Sequence, residues 1–177
     1  MSGSLDRIAV YTGSFDPVTL GHMNVIERGC LLFPQLIVGV GLNIEKPSLF
    51  TQAERVALLE RVTEGFPNVE VRAFDGLAVD FVRRCGSRIM LRGIRPLTDF
   101  AGEFTMMMAN RKLDPHIETI FLMADGELVH VSSSLLKQIT PLANDAMLGQ
   151  FVPREIIPDV RRKLGQVSSS HEAGEPG

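Results

Sequence analysis

The stretch that most constrains this chain is residues 8–24. It opens as a short apolar strand, residues 8–11, breaks at Gly13 and turns through Asp16-Pro17. Proline fixes φ and removes a donor, so the strand cannot continue. A helix then begins near Leu20-Gly21, with Val25, Ile26, Gly29 and Leu32 at helical spacing. A first strand that opens through glycine into a helix N-terminus makes an anion site. The free N–H groups of the first turn and the positive end of the helix dipole both face the strand's carboxyl edge. His22 falls in that first turn, where it adds a donor for whatever anion lies there. Taken alone, such a histidine reads more readily as a surface residue or one satisfied by its neighbours.

The rest of the 177-residue chain repeats the strand-then-helix alternation. Strands are expected at residues 7–11, 36–42, 69–74, 87–91 and 117–123, with a short extended piece at 129–131. The 36–42 run is apolar throughout, as a strand buried on both faces should be. Helices are expected at 20–33, 51–63, 77–85, 100–111, 132–139 and 154–164. Thr51-Gln-Ala-Glu54 is a capping box opening the second of these, with Ala53, Val56, Leu59 and Val62 along one stripe. Val79 and Val82 face inward on the third. Phe100 and Phe104 supply the core face of the fourth, leaving Met106, Met107 and Met108 as apolar surplus that suits a subunit contact. Five alternations predict an α/β fold: a doubly wound, Rossmann-like five-stranded parallel sheet with helices on both faces and right-handed crossovers. Residues 1–164 read as a single domain, and the Ser-, Gly- and Glu-rich residues 165–177 as a disordered tail.

In such a sheet, ligands bind beyond the carboxyl ends of the strands, at the switch point. The polar residues that interrupt the pattern fall there. Residues 13–22 follow the first strand, Lys46 the second, Arg92 and Arg95 the fourth, and Ser132-Ser133-Ser134 lies beyond the fifth. Singly, the cations read as solvated surface charges, the serines as a helix cap and Glu103 as an arginine's partner. Their common placement separates them from that reading, and Gly93 beside Arg92 lets a backbone approach a ligand closely. No pair of carboxylates is spaced as acid and base, no Ser-His-Asp set is suggested, and no Cys/His metal cluster is present. Gly39-x-Gly41 lacks a third glycine and a following helix, and a Gly-x4-Gly-Lys-Ser/Thr loop is absent. The site is therefore expected to hold phosphates and absorb charge. That suits phosphoryl or nucleotidyl transfer between two phosphate-bearing substrates, with the nucleophile supplied by one of them.

Composition narrows the partners. A net charge of −3 gives no general affinity for polyanions, so no nucleic-acid partner is expected. Cys30 and Cys85 form neither a disulfide framework nor a metal pattern. The longest apolar run, residues 36–42, is too short to cross a bilayer, and no leader-like pattern stands at the start. No membrane partner is expected, and the expected compartment is the cytoplasm.

Gly-Ser-Phe-Asp-Pro-Val-Thr-Leu-Gly-His over residues 13–22 closely resembles the signature of the nucleotidylyltransferase superfamily, in which a Thr-x-Gly-His or His-x-Gly-His element binds a nucleoside triphosphate. Further motifs narrow the likeness. They are Lys46-Pro, Phe50-Thr-x-x-Glu-Arg55, Leu91-Arg-Gly-Ile-Arg95, Asp99-Phe-x-x-Glu103, Asn110-Arg111 and Ser132-Ser-Ser-Leu-Leu-Lys137, in that order. Over residues 7–164 the chain resembles the bacterial phosphopantetheine adenylyltransferases. The resemblance implies conversion of ATP and 4′-phosphopantetheine to dephospho-coenzyme A and pyrophosphate, with Mg2+ carried by ATP. It also implies coenzyme A as an inhibitor and a homohexamer. By the same likeness His22 stabilises the transition state, and Ser14 and Phe15 lie at the ATP phosphates and adenosine, Ser14 also near phosphopantetheine. Lys46 and Arg92 hold the phosphate end of phosphopantetheine, and Ala78 touches its arm. Gly93, Ile94, Arg95 and Glu103 contact ATP, and Leu128, Val129, His130, Val131, Ser132, Ser133 and Ser134 line the nucleotide. Ser14 stands where the family usually has Thr, Ala78 is smaller than the usual residue, and Leu128 and His130 replace residues that are often aromatic. Two other readings compete. A sibling that adenylylates nicotinate mononucleotide or cytidylylates a polyol phosphate is disfavoured by the Arg92, Arg95 and Lys46 set. A nucleotide-binding regulator without chemistry would show damage at His22, Lys46 or Arg92, and all three are intact.

Overall fold

The structure, a computed structural model, describes residues 8–42, 47–94 and 100–172. Five strands, β1 (Ile8–Gly13), β2 (Gln35–Val40), β3 (Val69–Ala73), β4 (Ile89–Ile94) and β5 (Glu118–Met123), form one sheet in the order β3-β2-β1-β4-β5. Every pairing is parallel. The helices are α1 (Leu20–Leu32), α2 (Gln52–Thr63), α3 (Ala78–Arg84), α4 (Phe100–Leu113), α5 (Ser133–Ile139), α6 (Asp145–Leu148) and α7 (Ile157–Glu172). This is the expected α/β, Rossmann-like class.

The sheet is covered on both faces, and the period-2 alternation of its strands decides which residue faces which layer. Ala9 and Tyr11 of β1, with Leu36, Val38 and Val40 of β2, join a large core with α1, α2 and the start of α7. Val10 and Ile37 point the other way, into a smaller core with Val79, Phe81 and Val82 of α3. Phe81 lies over Gly39, where a Cβ would come within 2.4 Å of its ring. It also stacks on Phe74 with centroids 4.4 Å apart.

The sequence pattern places the elements well and their faces less well. The capping box of α2 is present, with the Thr51 hydroxyl accepting from the Glu54 N–H and the Glu54 carboxylate accepting from the Thr51 N–H. Yet the buried face of α2 is Arg55, Leu58, Leu59 and Thr63, while Ala53 is exposed. The expected stripe is rotated because a charged residue occupies its inner edge. On α1, Val25, Ile26 and Gly29 are buried as expected, but Leu32 is exposed. Phe100 and Phe104, expected in the core, are 56% and 47% exposed. Only Asn110 of α4 is buried, with its amide against Met90 of β4.

Three differences concern the ends of elements. β4 runs to Ile94, so Arg92 and Gly93 lie on the strand and not in a loop after it. Residues 129–131 do not form a strand: the chain makes a 3-10 turn at Gly126–Leu128, and the Val131 N–H donates to the Leu128 carbonyl. Helix α7 continues to Glu172, past Gly165 where a disordered tail is expected. One glycine costs a helix only about 1 kcal/mol, and no proline intervenes before Pro176.

Candidate active site

Chain order sets the place of the site. From β1 the strands run outward through β2 to β3, and β4 then returns to the other side of β1. The crevice between the carboxyl ends of β1 and β4 is the switch point at which open α/β sheets bind ligands. A cavity of about 400 Å³ opens there, lined by the ends of both strands, the first turn of α1 and the start of α5.

The loop from β1 to α1 is fixed by its own side chains. Thr19 is the N-cap of α1, and the partner in its capping box is His22. The Thr19 N–H donates to His22 Nδ1 at 3.0 Å, and the Thr19 hydroxyl lies 3.1 Å from the same nitrogen. A backbone N–H can only donate, so Nδ1 carries the lone pair and the ring proton of the neutral imidazole sits on Nε2. His22 is thereby set as an N–H donor at the mouth of the helix dipole. Its ring packs edge-on to Phe15 with centroids 5.0 Å apart, and Phe15 packs edge-on to Tyr11 at 5.2 Å. Phe15 adopts φ of +48°, a left-handed conformation rare for a bulky residue.

Asp16 ties this loop to two other elements. Its carboxylate accepts from the Leu49 and Phe50 N–H groups, each at 2.8 Å, and from Lys137 of α5 at 2.7 Å. Ser133 of α5 donates to the Pro17 carbonyl at 2.8 Å, and Ser132 caps the helix by accepting from the Leu135 N–H. The three serines thus divide: one caps, one clamps α5 to the loop, and Ser134 is exposed.

Across the crevice, Arg92 of β4 is held in a fork. Its Nε donates to Glu103 at 2.8 Å, its Nη2 donates to the other Glu103 oxygen, and its Nη1 donates to the Thr12 carbonyl at 2.5 Å. A guanidinium so pinned presents a fixed planar charge, the geometry that suits phosphate. Burial pushes the Tyr11 phenol well above its usual range, with Arg92 lowering it and Glu103 raising it, so the group stays an O–H. Gly93 has a reason beyond ligand approach. A Cβ there would come within 2.8 Å of Val25 and 3.2 Å of the Tyr11 oxygen, so glycine is what allows α1 to seat against β4. On the far wall, Asn24 of α1 donates to the Asp125 carboxylate at 2.6 Å and accepts from the Asp125 N–H, anchoring the turn that carries Leu128.

The cavity gathers most of the residues singled out from the sequence: Ser14, Phe15, His22, Arg92, Gly93, Ile94, Glu103, Leu128, Val131 and Ser132–134 all line it. Val129 and His130 do not. The 3-10 turn swings them outward, and the exposed His130 packs edge-on to Phe151. Ala78 lines a separate pocket of about 40 Å³ behind the Arg92–Glu103 pair, with Met106, Met107 and Asn110. Lys46 and Arg95 lie outside the described residues. Sequence reasoning gave no role to Asp16, Lys137 or Thr12. Asp16-Pro17 reads as a turn signal, and nothing in the order of residues announces that its carboxylate bridges three elements. Among the described residues, no three His, Cys, Asp or Glu side chains gather as metal ligands.

The chain is similar to several known proteins. The cytidylyltransferase-like family model matches residues 10–139. A phosphopantetheine adenylyltransferase of Rhodopirellula baltica is 63% identical over 94% of this chain and 93% of its own. One from Clostridium beijerinckii is 44% identical over 89% of this chain and 98% of its own. A solved structure from Vibrio parahaemolyticus, named for nicotinate-nucleotide adenylyltransferase, superposes with a TM-score of 0.59 at 16% identity over 90% of this chain and 91% of its own, a likeness of fold.

Proposed function

The chain belongs to the cytidylyltransferase-like family and, within it, to the phosphopantetheine adenylyltransferases, and we propose that it transfers the adenylyl group of ATP to 4′-phosphopantetheine, releasing dephospho-coenzyme A and pyrophosphate. The acceptor phosphate is already an anion near neutral pH, so no base is needed to start the reaction. One of its oxygens attacks the α-phosphorus in line, and the bond from that phosphorus to the bridging oxygen of pyrophosphate breaks. Charge grows on the non-bridging α-oxygens and toward the leaving group. The protein's part is to position the substrates and stabilise that charge.

The observation that carries this reading is the pairing of His22 and Arg92 across one crevice, each locked by its own side-chain bonds. His22, with its proton held on Nε2 by the Thr19 N–H, donates to the transition state at the N-terminal end of α1. Arg92, with Lys46, holds the acceptor phosphate. Ser14 and Phe15 serve the ATP phosphates and adenosine, with Ser14 also near the acceptor. Gly93, Ile94, Arg95 and Glu103 contact ATP, and Leu128, Val131 and Ser132–134 form the nucleotide wall. Val129 and His130, turned outward, contribute through the backbone of that wall. Ala78 meets the pantetheine arm in the small pocket behind Arg92. Mg2+ enters with ATP as its phosphate complex.

We place the activity in a single domain over residues 1–164 of a cytoplasmic enzyme that coenzyme A inhibits. The described helices include none long and apolar enough to cross a membrane. The apolar outer face of α4, with Phe104, Met106 and Met108 exposed, supports self-assembly, which we take to be a hexamer. The test is pyrophosphate release with ATP and each of three acceptors: phosphopantetheine, nicotinate mononucleotide and a polyol phosphate. Turnover with phosphopantetheine at least 100-fold above the others is expected. Comparable turnover with another acceptor, or ATP binding without turnover, overturns the reading.

A further inference from the structure

Arg55 of α2 is only 1% exposed and does not line the cavity. A single nitrogen, Nη1, donates to the Ser14 carbonyl at 2.6 Å and to the Gly41 carbonyl at 2.9 Å. The other terminal nitrogen, Nη2, is buried with no hydrogen-bond partner among the described residues. Burial lowers the proton affinity of the guanidinium, and nearby Asp16 opposes that shift. A charge buried with a donor unpaired costs the fold more than a neutral residue of the same shape would. Its position indicates what it does in return.

We propose that Arg55 is a positioning residue for adenylyl transfer: from beneath the site it fixes the Ser14 and Gly41 carbonyls and so holds the strained turn at Phe15 in the orientation that serves the phosphates. The argument rests on the adenylyl-transfer reading above. A trans peptide is planar, with C=O and N–H pointing oppositely, so a Ser14 carbonyl drawn down to Arg55 directs the Phe15 N–H away from the interior. Ser14 and Phe15 both line the cavity on that side. Phe15 is held at φ of +48° from both flanks, by Arg55 on the carbonyl before it and by Asp16 on the residue after it. Its ring in turn supports His22. The same guanidinium grips Gly41, and the Asp16 carboxylate grips Leu49 and Phe50, so the two anchors lie on either side of Lys46 in the chain. Arg55 thereby couples the β1–α1 turn to Gly41, just past the end of β2. Without it the Phe15 turn is free to relax toward the right-handed region, and the backbone and His22 ring shift together.

The test compares Arg55→Met, which keeps the bulk and removes every donor, with Arg55→Lys, whose ammonium can replace the one nitrogen that makes both carbonyl bonds. In Arg55→Met, kcat is expected to fall about 100-fold, the scale of a misplacement near 1 Å, with the KM values for ATP and phosphopantetheine within about threefold of wild type. Arg55→Lys is expected to recover at least tenfold of that loss. Amide hydrogen exchange gives a readout independent of turnover. Exchange in a peptide spanning residues 12–17 should accelerate about tenfold in Arg55→Met and recover in Arg55→Lys, while the peptide covering β4 stays unchanged. A wild-type protein that fails to turn over ATP with phosphopantetheine overturns the adenylyl-transfer reading, and the exchange comparison still judges the turn. Wild-type kcat in Arg55→Met, or unchanged exchange at residues 12–17, overturns the role of Arg55. Uniform acceleration across the sheet, with Lys no better than Met, also overturns it and makes Arg55 a residue of the fold alone.

Discussion

Helices α1 and α4 are nearly the same length and comparably rich in apolar residues, yet they present them to opposite sides. Of the 13 residues of α1, Met23, Asn24, Val25, Ile26 and Gly29 are buried. Of the 14 residues of α4, only Asn110 is buried, and Phe100, Phe104, Met106, Met108 and Leu113 face out. The difference follows from what each packs against. Helix α1 packs on β2 and β4 on either side of the central strand β1, whereas α4 meets the fold at α3 and at Met90 of β4. Both helices nonetheless carry a side chain of the site. His22 stands on a helix with five buried residues, whose apolar exposure is confined to Leu31 and Leu32 at its far end. Glu103, the partner of Arg92, stands on a helix with an apolar outer face that nothing among the described residues covers. One half of the site rests on a helix packed into the core, and the other on a helix of which only Asn110 is buried.

The largest expected effect tests the half on α1. His22→Ala should lower kcat by about 100- to 1000-fold, or about 3–4 kcal/mol, the scale for removing one preorganised donor to a transition state. ATP should still bind within a few-fold, as calorimetry can show. Near-normal kcat with much weaker ATP binding would assign His22 to the ground state, and rescue of the variant by external base alone would make it a proton acceptor.

On the α4 side, Arg92→Ala should cost about 2–4 kcal/mol in kcat/KM for phosphopantetheine, as when one partner of a desolvated charge pair is removed. The KM for ATP should move much less. Equal losses for both substrates would show that Arg92 does not belong to the acceptor.

The support of Glu103 is probed on the outer face of α4. Phe104→Ser combined with Met108→Ser removes apolar surface without touching the cavity lining. Light scattering should show a smaller assembly than wild type, and the KM for phosphopantetheine should rise by about tenfold, close to 1.4 kcal/mol, as Glu103 loses its support. A wild type that is a clean monomer at micromolar concentration would sink the assembly reading. An unchanged KM in a dissociated variant would show that α4 holds Glu103 unaided.

The smallest effect concerns the far end of α4. Asp114 follows that helix, and its carboxyl is held below the usual carboxylate range by the hydrogen bond from Arg83 and then by the His116 N–H. Stability from a depressed carboxyl is fully present above its unfolded pKa, about 3.9, and is lost as pH falls through its lower folded value. Urea unfolding of wild type and Asp114→Asn between pH 3 and 7 should show a gap at neutral pH that closes on the acid side. A gap independent of pH would mean that the Arg83 bond, and not the charge, fastens α3 to α4.

Element order and the first turn of α1 are determined by the sequence alone, because they arise from interactions between residues a few positions apart. Period-2 and period-3.6 patterns, the Thr51–Glu54 box and the Gly-Ser-Phe-Asp-Pro turn are all local. The ten-residue string at 13–22 is also long enough to mark the chemistry. Other features depend on which strands become neighbours, and no local pattern reports that. Arg55 reads as a surface charge on α2 until β1 and β2 pair and bring the Ser14 and Gly41 carbonyls beneath it. Arg92 finds the Thr12 carbonyl only because β4 returns to the free side of β1. Phe100 and Phe104 have the spacing of core residues, but only Asn110 of their helix is buried. Local sequence thus chose the elements and the chemistry of the β1–α1 loop. Strand order, a property of the whole chain, decided which charges were buried, which were paired and which apolar faces were left exposed.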